Sequence, residues 1–372
     1  MQLALSPELE AWRCEVQEFL RPYTHIDGYF QRGDEDALSA FYRELGARGW
    51  LSLTWPIELG GEAKSPLYEF VLWDEIGYAR IARPPLAAGV VAKSLIAAGT
   101  ADQHERFLPG IRAGELHFSL GYSEPEAGSD LAAVRCRAVR DGDEYVVTGE
   151  KRWTSHAQRS NYLWTLCRTG ALDDRSRALT LLIIDLASPE ITVSPIWTHD
   201  DYRLNEVRLD GVHVPVANRV GSENGAWTVI GQALAVERHM QFPPKRVRRD
   251  LEELRAFVHQ SGIADDPVIH ARMTDLAVRV AETEALTLQL LAQTAAGGDG
   301  VVEAADLKVA ATVTCQAIAR AALDLGASAA LVRGTEMEYL WRQSLLETIG
   351  GGTSEILRSV IARNRLHLAA SA

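Results

Sequence analysis

At 372 residues the chain is longer than one hydrophobic core readily organises, so two or three domains are expected. A hydrophobic fraction of 47% with 24% charged residues is that of an ordinary globular chain, and a formal net charge of -12 argues against broad binding to nucleic acid or an anionic membrane. Cys14, Cys136, Cys167 and Cys315 are scattered, with no CxxC and no metal-type histidine spacing, which disfavours a zinc site or disulfide framework and fits reduced thiols in a cytosol.

The first twenty residues have a helical pattern with neither a basic leader nor a cleavage site, so they read as folded chain rather than as a signal peptide. From Glu8 to about Glu115 the apolar spacing stays helical, as in Leu38, Phe41, Tyr42 and Leu45 and again over residues 67–76. Breakers at Trp55-Pro56, Gly60-Gly61, Pro84-Pro85 and Pro109-Gly110 separate these helices. From about Leu116 to Val220 the pattern turns to strands. Residues 135–140 alternate, Asp141-Gly142 reads as a turn, and a return strand begins at Tyr145, with further strands over 178–184, 191–196 and 206–214. The apolar run around Leu182 is broken by charge far short of a bilayer-spanning length. Beyond Gly225 long helices return, over residues 251–258, 270–293 and 303–325.

Helices, then strands, then helices predict an α+β chain rather than an alternating α/β sheet. The expected division is an N-terminal helical domain over 1–115, a middle β-barrel or sandwich over 116–224, and a C-terminal four-helix bundle over 225–372. No strand leads into a GxGxxG and helix, so a Rossmann fold is disfavoured.

Two segments carry candidate chemistry. GYSEPEAGSD at 121–130 combines Gly, Pro and Ser in an irregular loop whose amides can converge on a phosphate or a flat heterocycle. A plain surface turn is the competing reading. In KRWTSHA at 151–157, Trp153 and Ser155 stand two apart on a strand and so share a face. That pair suits one face of a flavin ring, and equally a half-buried strand with a core tryptophan.

These segments, together with ADQHERFLPGIRAGELHFSL before the loop, GWLSLTWPIELGG at 49–61 and ETIGGGTSEILRSVIAR at 347–363, resemble the acyl-CoA dehydrogenase family over nearly the whole chain. The resemblance implies FAD as cofactor, a homodimer or homotetramer, an acyl-CoA substrate, and an electron-transfer flavoprotein as acceptor. It implies flavin contacts at Leu120, Tyr122, Ser123, Gly128, Ser129, Trp153, Thr154 and Ser155, with Ser129 also near the bound acyl-CoA. Thr353 and Glu355, with the turn near Gly326, match residues that reach the FAD of a neighbouring subunit. His156 replaces a smaller residue of the family and reads as a surface histidine.

Dehydrogenation of a thioester needs a carboxylate to take the α-proton while the flavin takes the β-hydride, and hydrogen bonds to the thioester oxygen as enolate character grows. Many members place that Glu immediately before the Gly-Thr-Ser of the C-terminal motif. Here the position is Gly351, which has no carboxylate, although its N–H could serve the thioester oxygen. Members similar to isovaleryl- and long-chain acyl-CoA dehydrogenases instead place the Glu before an Arg on the first long C-terminal helix. Leu234-Ala235-Val236-Glu237-Arg238 matches that site, so Glu237 is the expected base, and Arg238 a candidate for contacting substrate. Lys245, Arg246, Arg248 and Arg249 read as a solvated helix face rather than a phosphate site, Trp50, Trp55 and Trp73 as packing residues, and Asp265-Asp266-Pro267 as a helix start. Two alternatives stay open: a non-catalytic or half-site subunit of a hetero-oligomeric complex, motivated by Gly351, and a flavin monooxygenase or nitroalkane-type oxidase on the same fold. An acyl group on a carrier protein in place of CoA stays open as well.

Overall fold

The protein was analysed as a computed structural model that describes residues 5–29, 33–231 and 242–368. Helix α1 (Pro7–Leu20) starts where the Ser6 hydroxyl accepts from the Leu9 amide, with Pro7 in the first turn, and it buries Leu9, Trp12, Val16 and Leu20 along one stripe. Helix α2 (Glu35–Ala47) follows, and α3 (Pro66–Tyr78), capped by Ser65, is buried from Glu69 to Gly77. A π-helical turn at Ala87–Val91 leads into α4 (Ala92–Ala98). Helix α5 (Ala101–Arg112) opens on a reciprocal cap between Thr100 and Gln103.

Eight strands come next: β1 (Phe118–Gly121), β2 (Arg137–Asp141), β3 (Glu144–Ser155), β4 (Tyr162–Arg168), β5 (Leu179–Asp185), β6 (Ile191–Trp197), β7 (Arg203–Pro215) and β8 (Arg219–Val220). Residues 226–231 are helical, and beyond residue 241 the described α-helices are α6 (Pro244–Gln260), α7 (Pro267–Ala295), α8 (Val301–Gly326), α9 (Glu336–Glu347) and α10 (Ser354–Arg365). Helical segments thus flank a middle sheet along the chain, an α+β arrangement. None of the described helices is long and apolar enough to cross a membrane.

The chain folds into two compact units, one made of Met1–Leu38, Ser65–Arg83 and Ala235–Ala372, the other of Ser39–Lys64 and Pro84–Leu234. The helical unit buries Val247, Leu251, Leu254, Met273, Leu276, Val280, Ile318 and Leu340 in its core. It also encloses a charged cluster: Arg246 faces Asp250 and Glu347, Arg80 reaches Asp250 and Glu336, and Arg83 reaches Glu347.

In the sheet unit the strand order is β6-β7-β3-β2-β4-β5-β8, with β1 beside β4. β2 and β3 form a hairpin one residue later than the sequence suggests. Asp141 pairs with Glu144, which leaves Gly142 at φ 59 and Asp143 as the turn residues. Both β1 and β2 run parallel to β4, end to end. β1 pairs Phe118–Gly121 with Tyr162–Thr165, whereas β2 meets β4 only at Arg137 and Arg168. Residues 122–136 leave the sheet between those two pairings.

Candidate cofactor site

The excursion of residues 122–136 opens a gap in the ladder beside β4, and backbone groups facing a buried gap need partners. Lys151 of β3 fills the gap. Its side chain is 0% exposed, and its ammonium donates to the carbonyls of Leu166 (2.7 Å) and Tyr122 (3.2 Å) and to Glu124 Oε1 (2.8 Å). All three ammonium protons are thereby used. The buried Glu124 carboxylate also accepts from the amides of Arg135 (2.7 Å) and Cys136 (2.8 Å), so it ties the start of the loop to its end. Glu124 and Ala127 exchange backbone hydrogen bonds, which closes a tight turn at residues 124–127.

A second cation holds the far side. Arg168, the last residue of β4, donates to the carbonyls of Val134, Ala132, Ala171 and Arg175. The Tyr122 hydroxyl accepts from Trp164 Nε1 at 3.0 Å. Cys136 and Cys167 are both buried, and their interaction with each other lowers the Cys136 thiol and raises that of Cys167.

The loop lies against a bulge in β3. Pairing with β7 runs Lys151–Val207 and resumes at Thr154–Asn205, so β3 carries one extra residue there. Trp153 adopts φ 64 within the bulge and stands 50% exposed, with the Arg152 guanidinium 5.1 Å from its ring centre. Thr154 turns inward, its carbonyl accepting from Asn205 Nδ2, while Ser155 is half-buried. The Arg152 amide donates to the Ser123 carbonyl at 2.8 Å, which stitches loop to bulge. His156 is half-buried rather than on the open surface: Arg159 donates to its Nδ1 at 2.7 Å and its ring meets Tyr202 edge-on.

A flat, polar-edged cofactor fits this arrangement. A large aromatic ring left half in solvent beside half-buried Ser123 and Ser155 suits stacking with hydrogen bonding at the rim. Gly128 adds to the fit. A Cβ there would meet nothing within 4 Å among the described residues and its φ is not in the left-handed region, so none of them demands glycine, whereas a closely approaching ligand would. Ser129 beside it is exposed, and Leu120 sits half-buried on β1 opposite Trp164.

The remaining expected site residues belong to the helical unit. Gly326 ends α8, where an added Cβ would lie 2.3 Å from Phe257 Cζ, so local packing alone accounts for that glycine. Gly351 adopts φ 68 in the glycine loop, Thr353 caps α10 by accepting from the Ile356 amide at 3.2 Å, and Glu355 is exposed in the first turn. The buried Lys308 donates to the Gly352 carbonyl at 2.8 Å. Glu237 and Arg238 lie outside the described residues. The run at 245–249 is a solvated face only in part: Arg248 is exposed and Arg249 partly so. Arg246 is buried, Lys245 pairs with Glu75, and Arg248 and Arg249 pair with Glu284 and Glu253. Trp50, Trp55 and Trp73 are buried, and Asp266 caps α7.

Lys151, Glu124 and Arg168 were not singled out in the sequence. The signal available was a lysine on an otherwise half-buried strand and an acid between small residues, and neither is distinctive alone.

The fold and this loop are those of a flavoprotein oxidoreductase, and comparison with known proteins makes the kind specific. Profiles described as acyl-CoA dehydrogenase N-terminal, middle and C-terminal domains match residues 6–115, 119–212 and 224–366. The chain is 33% identical to the acyl-CoA dehydrogenase FadE26 of Mycobacterium tuberculosis over 396 aligned positions, covering 99% of each chain. Among solved structures it is similar to the Tcur3481-Tcur3483 steroid ACAD, with TM-score 0.92 and 29% identity over the whole of both chains. The ChsE4-ChsE5 complex from Mycobacterium tuberculosis matches with TM-score 0.90 and 30% identity, again over the whole of both. The chain belongs to the acyl-CoA dehydrogenase family, whose members are FAD-dependent flavoprotein oxidoreductases.

Proposed function

We propose that the chain catalyses α,β-dehydrogenation of an acyl-CoA thioester to the trans-2-enoyl product, with Glu237 as the base that takes the α-proton. The observation that carries the reading is the bulge in β3, which sets Trp153 half in solvent beside Ser155 and against the loop of Ser123. FAD bound there supplies the hydride acceptor. The chain's own residues then have two tasks: to hold the acyl group with its β-carbon toward the flavin, and to remove the α-proton. Gly351 has no group for the second task, and Glu237 is the carboxylate that the helical variant of the family motif supplies. A base removed from a proton-abstraction step costs about 10²- to 10⁴-fold in rate. Glu237→Gln is therefore expected to keep a yellow, fully occupied flavin and to lose anaerobic bleaching by acyl-CoA to that extent. Bleaching at the rate of the unaltered protein would overturn the assignment.

Two relatives support a second reading, in which the working enzyme is a hetero-oligomer. Tcur3481-Tcur3483 and ChsE4-ChsE5 are each named as a pair of chains, and the first as a steroid ACAD. On that reading the chain works beside a second, related subunit, and its acyl group is a steroid side chain. Flavin content below one per chain when expressed alone, restored with turnover by co-expression with a partner, supports it. Full occupancy and full turnover as a homodimer or homotetramer refute it. A screen of linear, branched and steroid-bearing acyl-CoAs for flavin bleaching decides the substrate class. Electron-transfer flavoprotein as acceptor and a cytosolic site of action belong to the same proposal.

A further inference from the structure

We infer that Lys151 and Glu124 are positioning residues of the flavin site, a buried ion pair that shapes the 122–136 loop for the cofactor without touching it. The inference rests on the proposed placement of FAD against Trp153 and the loop. The geometry gives the pair a task of its own beside Arg168, which holds the Ala132 and Val134 carbonyls on the returning side of the loop. β4 is continuous from Tyr162 to Arg168, yet its partner edge is interrupted between the Gly121–Thr165 and Arg137–Arg168 pairings. The Leu166 carbonyl falls in that interruption and is satisfied by the Lys151 ammonium, which also takes the Tyr122 carbonyl at the point where the loop departs. Glu124 gathers the Arg135 and Cys136 amides at the point where the loop returns. Joined at 2.8 Å, the two side chains fix both feet of the loop to β3 and β4.

Such a pair sets geometry more than it adds stability. Two charges taken out of water roughly cancel their attraction against their desolvation, whereas removing one of them strands the other. An apolar side chain at either position would leave the Leu166 carbonyl or the returning amides without the partners they have here. The chain instead spends two charged residues at a place where the backbone must leave the sheet and come back, and where Ser123, Gly128 and Ser129 are displayed.

The test compares the full chain with Lys151→Met and with the doubly neutral Glu124→Gln/Lys151→Met. FAD affinity is read by quenching of flavin fluorescence well below the melting temperature, and backbone hydrogen exchange is read in the flavin-free protein. Lys151→Met is expected to weaken FAD binding about ten- to a hundredfold, taken by analogy from residues that orient the ligands of a bound metal. Its peptides from 122–136 should exchange faster while those from β5 to β7 hold. The double variant, with no stranded carboxylate, should lie between Lys151→Met and the unaltered chain on both readings, and it keeps the test open should Lys151→Met fail to fold. Unchanged affinity together with unchanged exchange in 122–136 overturns the inference. Should the unaltered chain bind no FAD, the placement of the cofactor fails instead, and exchange in 122–136 alone decides the role of the pair: faster in the variants supports it, unchanged overturns it.

Discussion

Replacing Asp74 by Asn should make the protein more stable in mild alkali and leave it unaltered in acid. Asp74 sits on the buried face of α3, where its Oδ1 accepts from the Lys245 amide at 2.9 Å. Burial pushes the carboxyl up from 3.8 to about 7; the Lys245 charge and amide pull it back, while Glu75 and Glu284 push it further up. A carboxyl whose pKa is raised by folding favours the protonated folded chain. Its contribution is fully present below the unfolded value near 4 and is lost as pH rises through 7. About three units of difference correspond to about 4 kcal/mol at 1.36 kcal/mol per unit, an upper bound because the structure can relax around the charge. Asparagine keeps the shape and the acceptor for the Lys245 amide, and carries no charge to desolvate. In urea unfolding followed by helical circular dichroism, Asp74→Asn should match the unaltered protein at pH 4 and exceed it by up to about 4 kcal/mol at pH 8.5. A difference of the same size at both pH values, or a variant less stable at pH 8.5, would refute the reasoning.

Arg246→Met leaves buried Asp250 to Arg80 and buried Glu347 to Arg83 and Lys308, and should cost up to about 3 kcal/mol by urea unfolding, less than the roughly 3–5 kcal/mol of a fully stranded charge. The triple neutral variant Arg246→Met/Asp250→Asn/Glu347→Gln should recover most of that loss, and no recovery would contradict the pairing. Gly326→Ala drives a methyl to 2.3 Å from the Phe257 ring and should cost about 1–3 kcal/mol, relieved when Phe257 is shortened to Leu. An unshifted melting temperature in the single variant would show that the ring moves aside freely.

How far the fold could be read depended on whether an element is buried on one face or on all. β7 alternates buried and solvated positions, and the amphipathic α6 repeats at helical spacing, so both are visible in the pattern. β4 is buried at every position after Tyr162, and a run without alternation gives no phase to read; the equally buried β5 was legible only as an unbroken apolar run. The glycine–serine loop and the Trp153–Ser155 pair were legible because their residue types are unusual together. The way Trp153 is presented was not. Two residues on one face of a regular strand is a weaker statement than an extra residue in β3 that sets a tryptophan at φ 64, and a bulge is a property of pairing with β7 rather than of β3 alone. Lys151 and Arg168 were hidden for the same reason. Their acceptors are backbone carbonyls of β4 and of the loop, and no sequence pattern marks which carbonyl a sheet leaves without a partner.

Gly351 bears on the location of the base more strongly than a missing side chain would by itself. Gly351 and Gly352 stand at φ 68 and φ 92, in the region that residues with a Cβ adopt only at a cost. The Gly352 carbonyl is held from behind by the buried Lys308, and Thr353 fixes the start of α10 immediately after it. The loop is therefore built around glycine at its backbone, anchored at one end by a buried cation and at the other by a helix cap. A glutamate at 351 would have to enter the left-handed region or unseat one of those anchors. A chain that keeps this loop and still removes an α-proton must carry its carboxylate on another element, which is why the base is proposed at Glu237.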